Sequence, residues 1–203
     1  MKKIWILCLL LNTSVAVMAQ DDEEKEKPSF KENLFTGGSI SAGLSNNSFL
    51  IGASPMFGYS VTNWLDAGIT INYNYRSWRH YREFNDRLRQ TTYGGGPFVK
   101  IYPVKFIFLQ AQFEQNFIRQ KYIYPGGNYI EKAKGDASSF LVGGGYAAGR
   151  YGSGGNSFMY VSVLFDIGDN PLSPYKNSYG QTVPVLAIGT QIPLFQGKGV
   201  LKR

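Results

Sequence analysis

Leu65 to Arg76 spells LDAGITINYNYR, and its residues alternate between two classes. Every second residue from Leu65 is apolar or aromatic, and every second residue from Asp66 is small or polar. A period of two places the two sets on opposite faces of one β-strand. In a soluble protein the apolar face packs on a core. In a membrane barrel that face contacts lipid and the polar face lines the interior.

The N-terminus has the pattern of a secretory signal peptide. Two lysines precede an apolar segment, 4–11, and Ala19 ends a small-residue cleavage site. We therefore predict a signal peptide over residues 1–19, with cleavage near Ala19/Gln20. The one cysteine, Cys8, lies inside the apolar segment. The mature chain is thus predicted to contain neither a disulfide nor a thiolate metal site.

Residues 20–32, QDDEEKEKPSFKE, form an acidic lead without apolar periodicity. This composition predicts a disordered spacer, or a docking tail for a periplasmic partner. We place the folded domain at 33–196 and a short basic tail at 197–203. Much of the positive charge of the mature chain falls in one segment, 77–90, which indicates a local patch and not a nucleic-acid-binding domain.

The alternation of the opening stretch recurs along the mature chain. It is present in 35–45, 48–60, 92–102, 106–118, 157–168 and 183–195, and it is weaker in the glycine-rich segment 139–150. Together with 65–76 this predicts about eight strands of about ten residues, a length that crosses a bilayer at a tilt. No apolar run after Ala19 has the length of a transmembrane helix.

The links between these segments differ in length. Short turns are predicted at 61–63 and 103–105, and a somewhat longer one begins at Arg150. The segments 77–91, 119–138 and 169–182 are long and polar, and only 45–47 breaks the alternation of short and long links. Outer-membrane barrels have short periplasmic turns and long outer loops. Aromatic residues near strand ends predict interfacial girdles, with aromatic packing in a β-sandwich as the alternative.

The sequence resembles the small outer-membrane β-barrel proteins of Gram-negative bacteria, especially the outer membrane protein β-barrel domain group common in Bacteroidota. The resemblance covers 34–195 and rests on the signal peptide, FGYSVTNWLDAGITINYNY, GGGPFVKIYPVKFIFLQAQFE and VLAIGTQIPLF. It implies an all-β fold, a transmembrane up-and-down antiparallel β-barrel of about eight strands in the cell outer membrane, with periplasmic termini. Many relatives end on an aromatic residue that the barrel-assembly machinery reads. Here Phe195 is followed by eight more residues, which implies an internal signal.

Five charged residues fall on the polar register and are predicted to face the lumen: Asp66, Arg76, Lys100, Glu114 and Asp166. Unpaired charges away from water are costly, so we expect salt bridges and hydrogen bonds among them. An eight-stranded barrel leaves room for little beyond side chains, which predicts a filled lumen. The alternative is a narrow ion pathway or a small-ligand cavity.

The segment Ser77 to Gln90, SWRHYREFNDRLRQ, combines arginines with aromatic residues. Arginine forks bind phosphate and carboxylate, and aromatic rings add stacking surface. We predict a contact with an anion, in this compartment lipopolysaccharide, through Trp78, Arg79, Arg82, Arg87 and Arg89. A solvated loop or a strand extension above the membrane is the alternative.

His80 is the only histidine of the chain. Together with Ser77 or Glu83 it could serve a lipid A-modifying enzyme, but no motif indicates a triad. We therefore predict no catalytic residue. One histidine and no mature cysteine also predict no metal site, and we expect no cofactor.

The predicted function is that of an integral outer-membrane protein with a structural or interaction role, which presents loops such as 77–90 and 119–138. The expected partners are outer-membrane lipid, lipopolysaccharide, the barrel-assembly machinery and an envelope protein, but no nucleic acid. Three alternatives stay open: transport of a small solute through a narrow channel, modification of lipid A, and a soluble secreted ligand-binding barrel with its faces inverted.

Overall fold

The computed structural model describes residues 30–45, 47–127, 129–150, 157–176 and 181–195. The predicted signal peptide, residues 20–29 of the lead and the tail 197–203 lie outside them. After a 3-10 turn at Phe30–Asn33, the described residues form eight strands. These are β1 Leu34–Ser45, β2 Ser48–Thr62, β3 Leu65–Arg79, β4 Arg87–Val104, β5 Ile107–Ile123, β6 Ile130–Ala148, β7 Phe158–Asp166 and β8 Val185–Pro193.

Each strand pairs antiparallel with the next, and β8 pairs with β1, so the sheet closes into a barrel. Closure leaves no sheet edge along the paired length, and the backbone donors and acceptors there have partners without water. We call the end that carries Leu34 and Pro193 the proximal end and the opposite end the distal end. None of the described residues forms a helix long and apolar enough to cross a membrane.

The two faces of the strands are inverted relative to a soluble β-protein. On β3, Asp66 and Asn72 are buried, whereas Ile69 and Ile71 point outward with 56% and 62% of their surface exposed. Every strand contributes to this outward apolar belt, which includes Ile40, Ile51, Phe57, Val99, Leu109, Phe113, Phe140, Val161, Phe165, Leu186 and Ile188. An apolar exterior around a polar interior is the construction of a transmembrane β-barrel, as the sequence predicted.

Aromatic side chains border the belt at both ends. At its distal border Tyr73, Tyr93 and Phe117 are cross-strand neighbours, and the rings of Tyr93 and Phe117 stack at 5.6 Å. At its proximal border Phe106 and Tyr146 lie 6.1 Å apart. Aromatic rings at these two levels are typical of the interfaces between a bilayer and water.

The strands differ in length, and the extra length lies at the distal end. β3 to β6 have 15–19 residues, whereas β7 and β8 have nine each. The prediction of long loops at 77–91 and 119–138 was therefore wrong, because the strands continue and leave only 80–86 and 124–129 as loops. Beyond the belt, polar and basic residues replace the apolar set while the backbone pairing continues. We call these distal parts of β3–β6 the distal wall.

Glycine in β6 makes room for aromatic rings inside the barrel. A Cβ atom at Gly145 would lie 2.6 Å from Cζ of Phe108, a ring that is completely buried. Gly58 has the same relation to Phe35, at 2.3 Å. This explains part of the weak alternation of 139–150, because Gly145 marks a position where a neighbouring ring fills the interior.

Replacement of Ile69 by arginine tests the lipid-facing assignment. An arginine near the middle of the lipid-facing surface destabilises a barrel by about 2–4 kcal/mol. We expect this loss for Ile69→Arg in urea unfolding from lipid vesicles.

Phe84→Arg is the matched control, because Phe84 is 81% exposed in the distal loop 80–86. It should cost less than about 1 kcal/mol. Equal, small effects of both changes would place Ile69 in water and contradict the inverted faces.

Candidate functional site: the polar interior and the distal wall

The proximal end of the lumen is closed by one ion pair and its neighbours. Asp66 is fully buried, and its Oδ1 lies 3.4 Å from Nη2 of Arg150. Its Oδ2 accepts a hydrogen bond from Nε2 of Gln191 at 2.9 Å. The guanidinium of Arg150 also lies 3.4 Å from the ring centroid of Tyr102. The sequence did not identify Arg150, because it follows β6 in a turn and no strand alternation assigns it to the interior.

Lys100 lies opposite Asp66 in the β3–β4 register, but its ammonium is surrounded mainly by rings. Nζ lies 4.1 Å from the ring centroid of Tyr160 and 5.2 Å from that of Phe108. Phe98 is the third ring, at 5.4 Å. Cation–π attraction is strongest when the ion is removed from water, as it is here. The proximal half of the lumen is thus filled by a lysine inside an aromatic cluster.

Glu114 is the centre of a hydrogen-bond network in the middle of the lumen. Its Oε1 accepts from Nε2 of Gln112 at 2.6 Å. Its Oε2 accepts from the hydroxyl of Tyr175 at 2.6 Å and from Nδ2 of Asn116 at 3.0 Å. Asn72 adds a donor at 3.3 Å. Several polar side chains thus satisfy the buried carboxylate, as a stable polar interior requires.

A segment between β7 and β8, residues 171–176, folds into the distal mouth of the barrel. We call it the plug. Its Ser173 donates a hydrogen bond to Oδ2 of Asp166 at 2.5 Å, and its Tyr175 reaches Glu114. Oδ1 of Asp166 accepts from the backbone N–H groups of Phe140 and Gly168. The long link predicted at 169–182 is present, since β7 ends at Asp166 and β8 begins at Val185, but its residues 173–175 are buried and not exposed to solvent.

The structure does not bring the five predicted lumen charges into one cluster. Asp66 and Lys100 lie at the proximal end, Glu114 and Asp166 lie beneath the plug, and Arg76 lines a cavity at the distal end. A cavity of about 50 Å³ between Lys100 and Glu114 has room for a few water molecules.

Asp86 organises the distal loop 80–86. Its carboxylate is 1% exposed and accepts hydrogen bonds from the backbone N–H groups of Tyr81, Arg82 and Glu83. It also accepts from the hydroxyl of Tyr122 at 2.6 Å, which links the loop to β5. Burial by itself raises the pKa of this carboxyl, but the four hydrogen bonds outweigh it and lower the pKa to about 2.

His80 belongs to the same loop and has a structural contact there. Its Nδ1 accepts the N–H of Asn85 at 2.9 Å, and its ring stacks on Phe84 with centroids 4.8 Å apart. Within the described part of the chain, no hydrogen bond joins His80 to Ser77 or Glu83. The described ranges also hold no group of three or more histidine, cysteine, aspartate or glutamate residues that could bind a metal ion.

The predicted anion-binding set is divided between several surfaces. Arg79 and Arg87 are cross-strand neighbours on the outward face, and Arg89 shares this face. Arg82 instead packs over the ring of Tyr122, with its Cζ 4.9 Å from the ring centroid. Trp78 lies on the inward face beside the distal cavity.

The outward face of the distal wall carries four further cations that the sequence analysis did not identify. Arg119 and Lys121 on β5 pair with Lys134 and Lys132 on β6. The sequence spacing could have placed these cations on the outward face. The two cations of each strand are two residues apart, and they continue the outward register of Phe117. We call the complete set the basic face: Arg79, Arg87, Arg89, Arg119, Lys121, Lys132 and Lys134.

The basic face starts directly beyond the aromatic border of the belt. Cζ of Arg119 lies 5.2 Å from the ring centroid of Tyr93. Within the described ranges the one ion pair is Arg150–Asp66, so no carboxylate neutralises the basic face at ion-pair distance. Like charges on directly opposite strand positions repel, and this face contains several such pairs. The basic face is therefore suited to bind several anionic groups at the same level, just beyond the aromatic border.

Comparison of the sequence with protein-family models and with curated proteins gives no match. Solved structures with a similar fold include Ail of Yersinia pestis in complex with sucrose octasulfate, a heparin analogue. Its identity is 12%, with 78% of this chain and 95% of that chain covered and a TM-score of 0.47. Neisserial surface protein A has 11% identity, coverages of 79% and 95%, and a TM-score of 0.42. Ail in a nanodisc has 9% identity, coverages of 78% and 96%, and a TM-score of 0.40.

Titration of Asp86 tests its role in the loop. Because the folded pKa is below the usual value of about 3.9, the carboxylate stabilises the loop above about pH 4, and this stabilisation is lost as the pH falls towards 2. In NMR spectra of the protein in nanodiscs, the amide signals of Tyr81, Arg82 and Glu83 should move together with a midpoint near pH 2. The Asp86→Asn variant should lack this transition, and a midpoint near 4 would contradict the bonded carboxylate.

Tyr175→Phe tests the attachment of the plug. The change removes one buried hydrogen bond to the carboxyl group of Glu114, and a hydrogen bond contributes about 0.5–1.5 kcal/mol. We expect faster hydrogen exchange of the plug amides by mass spectrometry. Tyr129→Phe, which changes an exposed tyrosine within the loop 124–129, is the control. If exchange of the plug is as slow in Tyr175→Phe as in the control, the hydroxyl does not retain the plug.

Proposed function

We propose that this chain is an integral outer-membrane protein with a structural or interaction role, held in the outer leaflet by lipopolysaccharide. The basic face is the observation that carries this proposal. It places seven cations on the outward face of the distal wall, immediately beyond the aromatic border. In this arrangement the termini are periplasmic and the distal end faces the outside.

The height of the basic face supports lipopolysaccharide as the anion. Rings such as Tyr93 and Phe117 favour the headgroup level of a bilayer, so cations just beyond them meet the headgroups of the outer leaflet. Arginine and lysine bind phosphate by charge-assisted hydrogen bonds. Each basic residue near an anionic membrane surface contributes about 1 kcal/mol.

Electrostatic repulsion within the basic face supports the same proposal. Arg89 lies opposite Lys121, which lies opposite Lys132, so three neighbouring strands present cations side by side. Cross-strand pairs of like charge are destabilising unless a counter-ion lies between them. Phosphate groups bridging neighbouring cations would remove this repulsion and stabilise the long strands.

The filled interior supports a scaffold role more than a transport role. Lys100 lies in its aromatic cluster, Tyr175 closes the middle from the distal side, and Arg150 closes the proximal end. The distal wall would then stand outside the membrane as the surface that meets an envelope or external partner. During biogenesis we expect the barrel-assembly machinery to insert the chain.

The triple variant Arg89→Gln, Arg119→Gln, Lys121→Gln tests the lipopolysaccharide contact. Loss of about 1 kcal/mol per cation predicts weaker binding by roughly two orders of magnitude. The measurement is retention of purified lipopolysaccharide by the barrel in nanodiscs, compared with dephosphorylated lipopolysaccharide.

Lys31→Gln, Lys105→Gln serves as the control, because both lysines lie at the proximal end and are exposed. It should bind as the unmodified protein does. Equal retention of the phosphorylated and dephosphorylated forms, or equal loss in the triple variant and the control, would refute the proposal.

A further inference from the structure

A cavity of about 690 Å³ lies in the distal mouth, between the distal wall and the plug. Tyr175 is among the residues that line it, and the exposed residues Tyr81 and Leu172 border it. Sites for small molecules have volumes of about 300–1,000 Å³. The cavity is therefore large enough for an organic ligand, and its exposed border connects it with solvent.

Arg76 has few partners inside this cavity. Its Nη1 donates to the backbone carbonyl of Pro174 over 3.5 Å, and its Cζ lies 5.3 Å from the ring centroid of Trp78. A guanidinium has five N–H donors, and a half-buried one favours a bidentate anionic partner. No carboxylate of the described ranges forms an ion pair with Arg76. Trp78 thus orients a guanidinium whose remaining donors are available.

The charges around the cavity have one sign. The cations Arg76 and Lys176 are among the residues that line it, and the lining contains neither aspartate nor glutamate. Glu114 lies deeper in the lumen, where the hydroxyl of Tyr175 is bonded to it. A concave surface with cations of one sign concentrates anions.

The remaining wall suits an apolar body more than a fully hydrated ion. Leu50, Leu88 and Ile118 contribute apolar surface from three strands, and Val185 contributes from β8. The amides of Gln90 and Gln120 are bonded to each other at 2.9 Å. Binding sites for organic molecules combine apolar walls with a few polar groups that orient the ligand in this way.

We propose that the distal cavity binds a small organic anion, an apolar body that carries a carboxylate, sulfonate, sulfate or phosphate group, with Arg76 binding the anionic group. The site lies on the inward face of the barrel. Of the basic face only Lys134 also borders this cavity, and Arg76 is not part of that face, so the anionic group that Arg76 binds is distinct from the lipopolysaccharide contact.

The test uses 2-naphthalenesulfonate as the probe and neutral 2-naphthalenesulfonamide as its matched analogue. The full barrel in nanodiscs is labelled with 5-fluorotryptophan and followed by ¹⁹F NMR. Trp78 reports on the cavity, and Trp64 at the proximal end is an internal reference. We expect a saturable shift of the Trp78 signal with the sulfonate, an unchanged Trp64 signal, and binding of the sulfonamide weaker by about tenfold or more.

Arg76→Gln should weaken sulfonate binding by about tenfold or more, because it removes a charged donor pair. Arg76→Lys, which keeps the charge but loses the fork, should bind with intermediate affinity. Arg79→Gln is the matched control, since it removes the same charge from the outward face of the same strand. If Arg76→Gln fails to show a heat-dependent gel shift of a folded barrel, Lys176→Gln is compared with Arg79→Gln instead.

The proposal is overturned by any of three results: equal shifts with the sulfonate and the sulfonamide, unchanged affinity in the cavity variant, or an equal loss in Arg79→Gln. The last result would mean that the overall charge of the wall attracts the probe. Removal of phosphate from lipopolysaccharide affects only the outward contact, so failure of one proposal is distinguishable from failure of the other.

Discussion

The constraint on which the whole structure depends is that backbone N–H and C=O groups cannot stay unpaired in hydrocarbon. Each unpaired group costs several kcal/mol there, so strands that cross a bilayer must close into a barrel. Pairing of β8 with β1 satisfies this requirement. The shortest strands, β7 and β8, have nine residues each, which is the lower end of the length that crosses a bilayer at a tilt.

Because the apolar side chains face outward, the polar and charged side chains face the lumen and need partners there. Three buried side chains have three different kinds of partner. Asp66 has an ion pair, Lys100 has an aromatic cluster, and Glu114 has a set of side-chain donors. Each arrangement balances a buried charge with different neighbours. The plug is part of the third, since its tyrosine donates one of the hydrogen bonds that Glu114 accepts. A loop segment thereby becomes part of the packed interior.

The distal wall differs from the lumen in how its charged side chains are paired. Inside the lumen, the buried carboxylates of Asp66, Glu114 and Asp166 all have donors within the chain. On the outward face of the wall and in the distal cavity, cations have no ion-pair partner among the described residues. Cations near a membrane surface attract ions of the opposite sign. The two proposals assign a different anion to each of these surfaces.

Local alternation was sufficient to predict most of the strands and which of their faces is apolar, whereas β6 gave a weaker signal. The stretch Leu65–Arg76 shows this, because a period of two depends only on the geometry of one strand. The predicted strands differ from the observed ones mainly at the distal end, where basic residues such as Arg119 and Lys132 replace apolar ones. The backbone hydrogen bonds between the strands continue there, but a pattern of hydropathy does not predict them because the apolar residues no longer alternate.

The sequence by itself thus determined the all-β class, the inward register of residues such as Asp66 and Lys100, and the concentration of arginine in the segment 77–90. Only the tertiary structure decided which charges meet. Contacts of Arg150 with Asp66, of Tyr175 with Glu114 and of Asp86 with Tyr122 join residues that are 36 to 84 positions apart. Such contacts depend on strand register and on the path of connecting segments, and both are properties of the closed barrel as a whole.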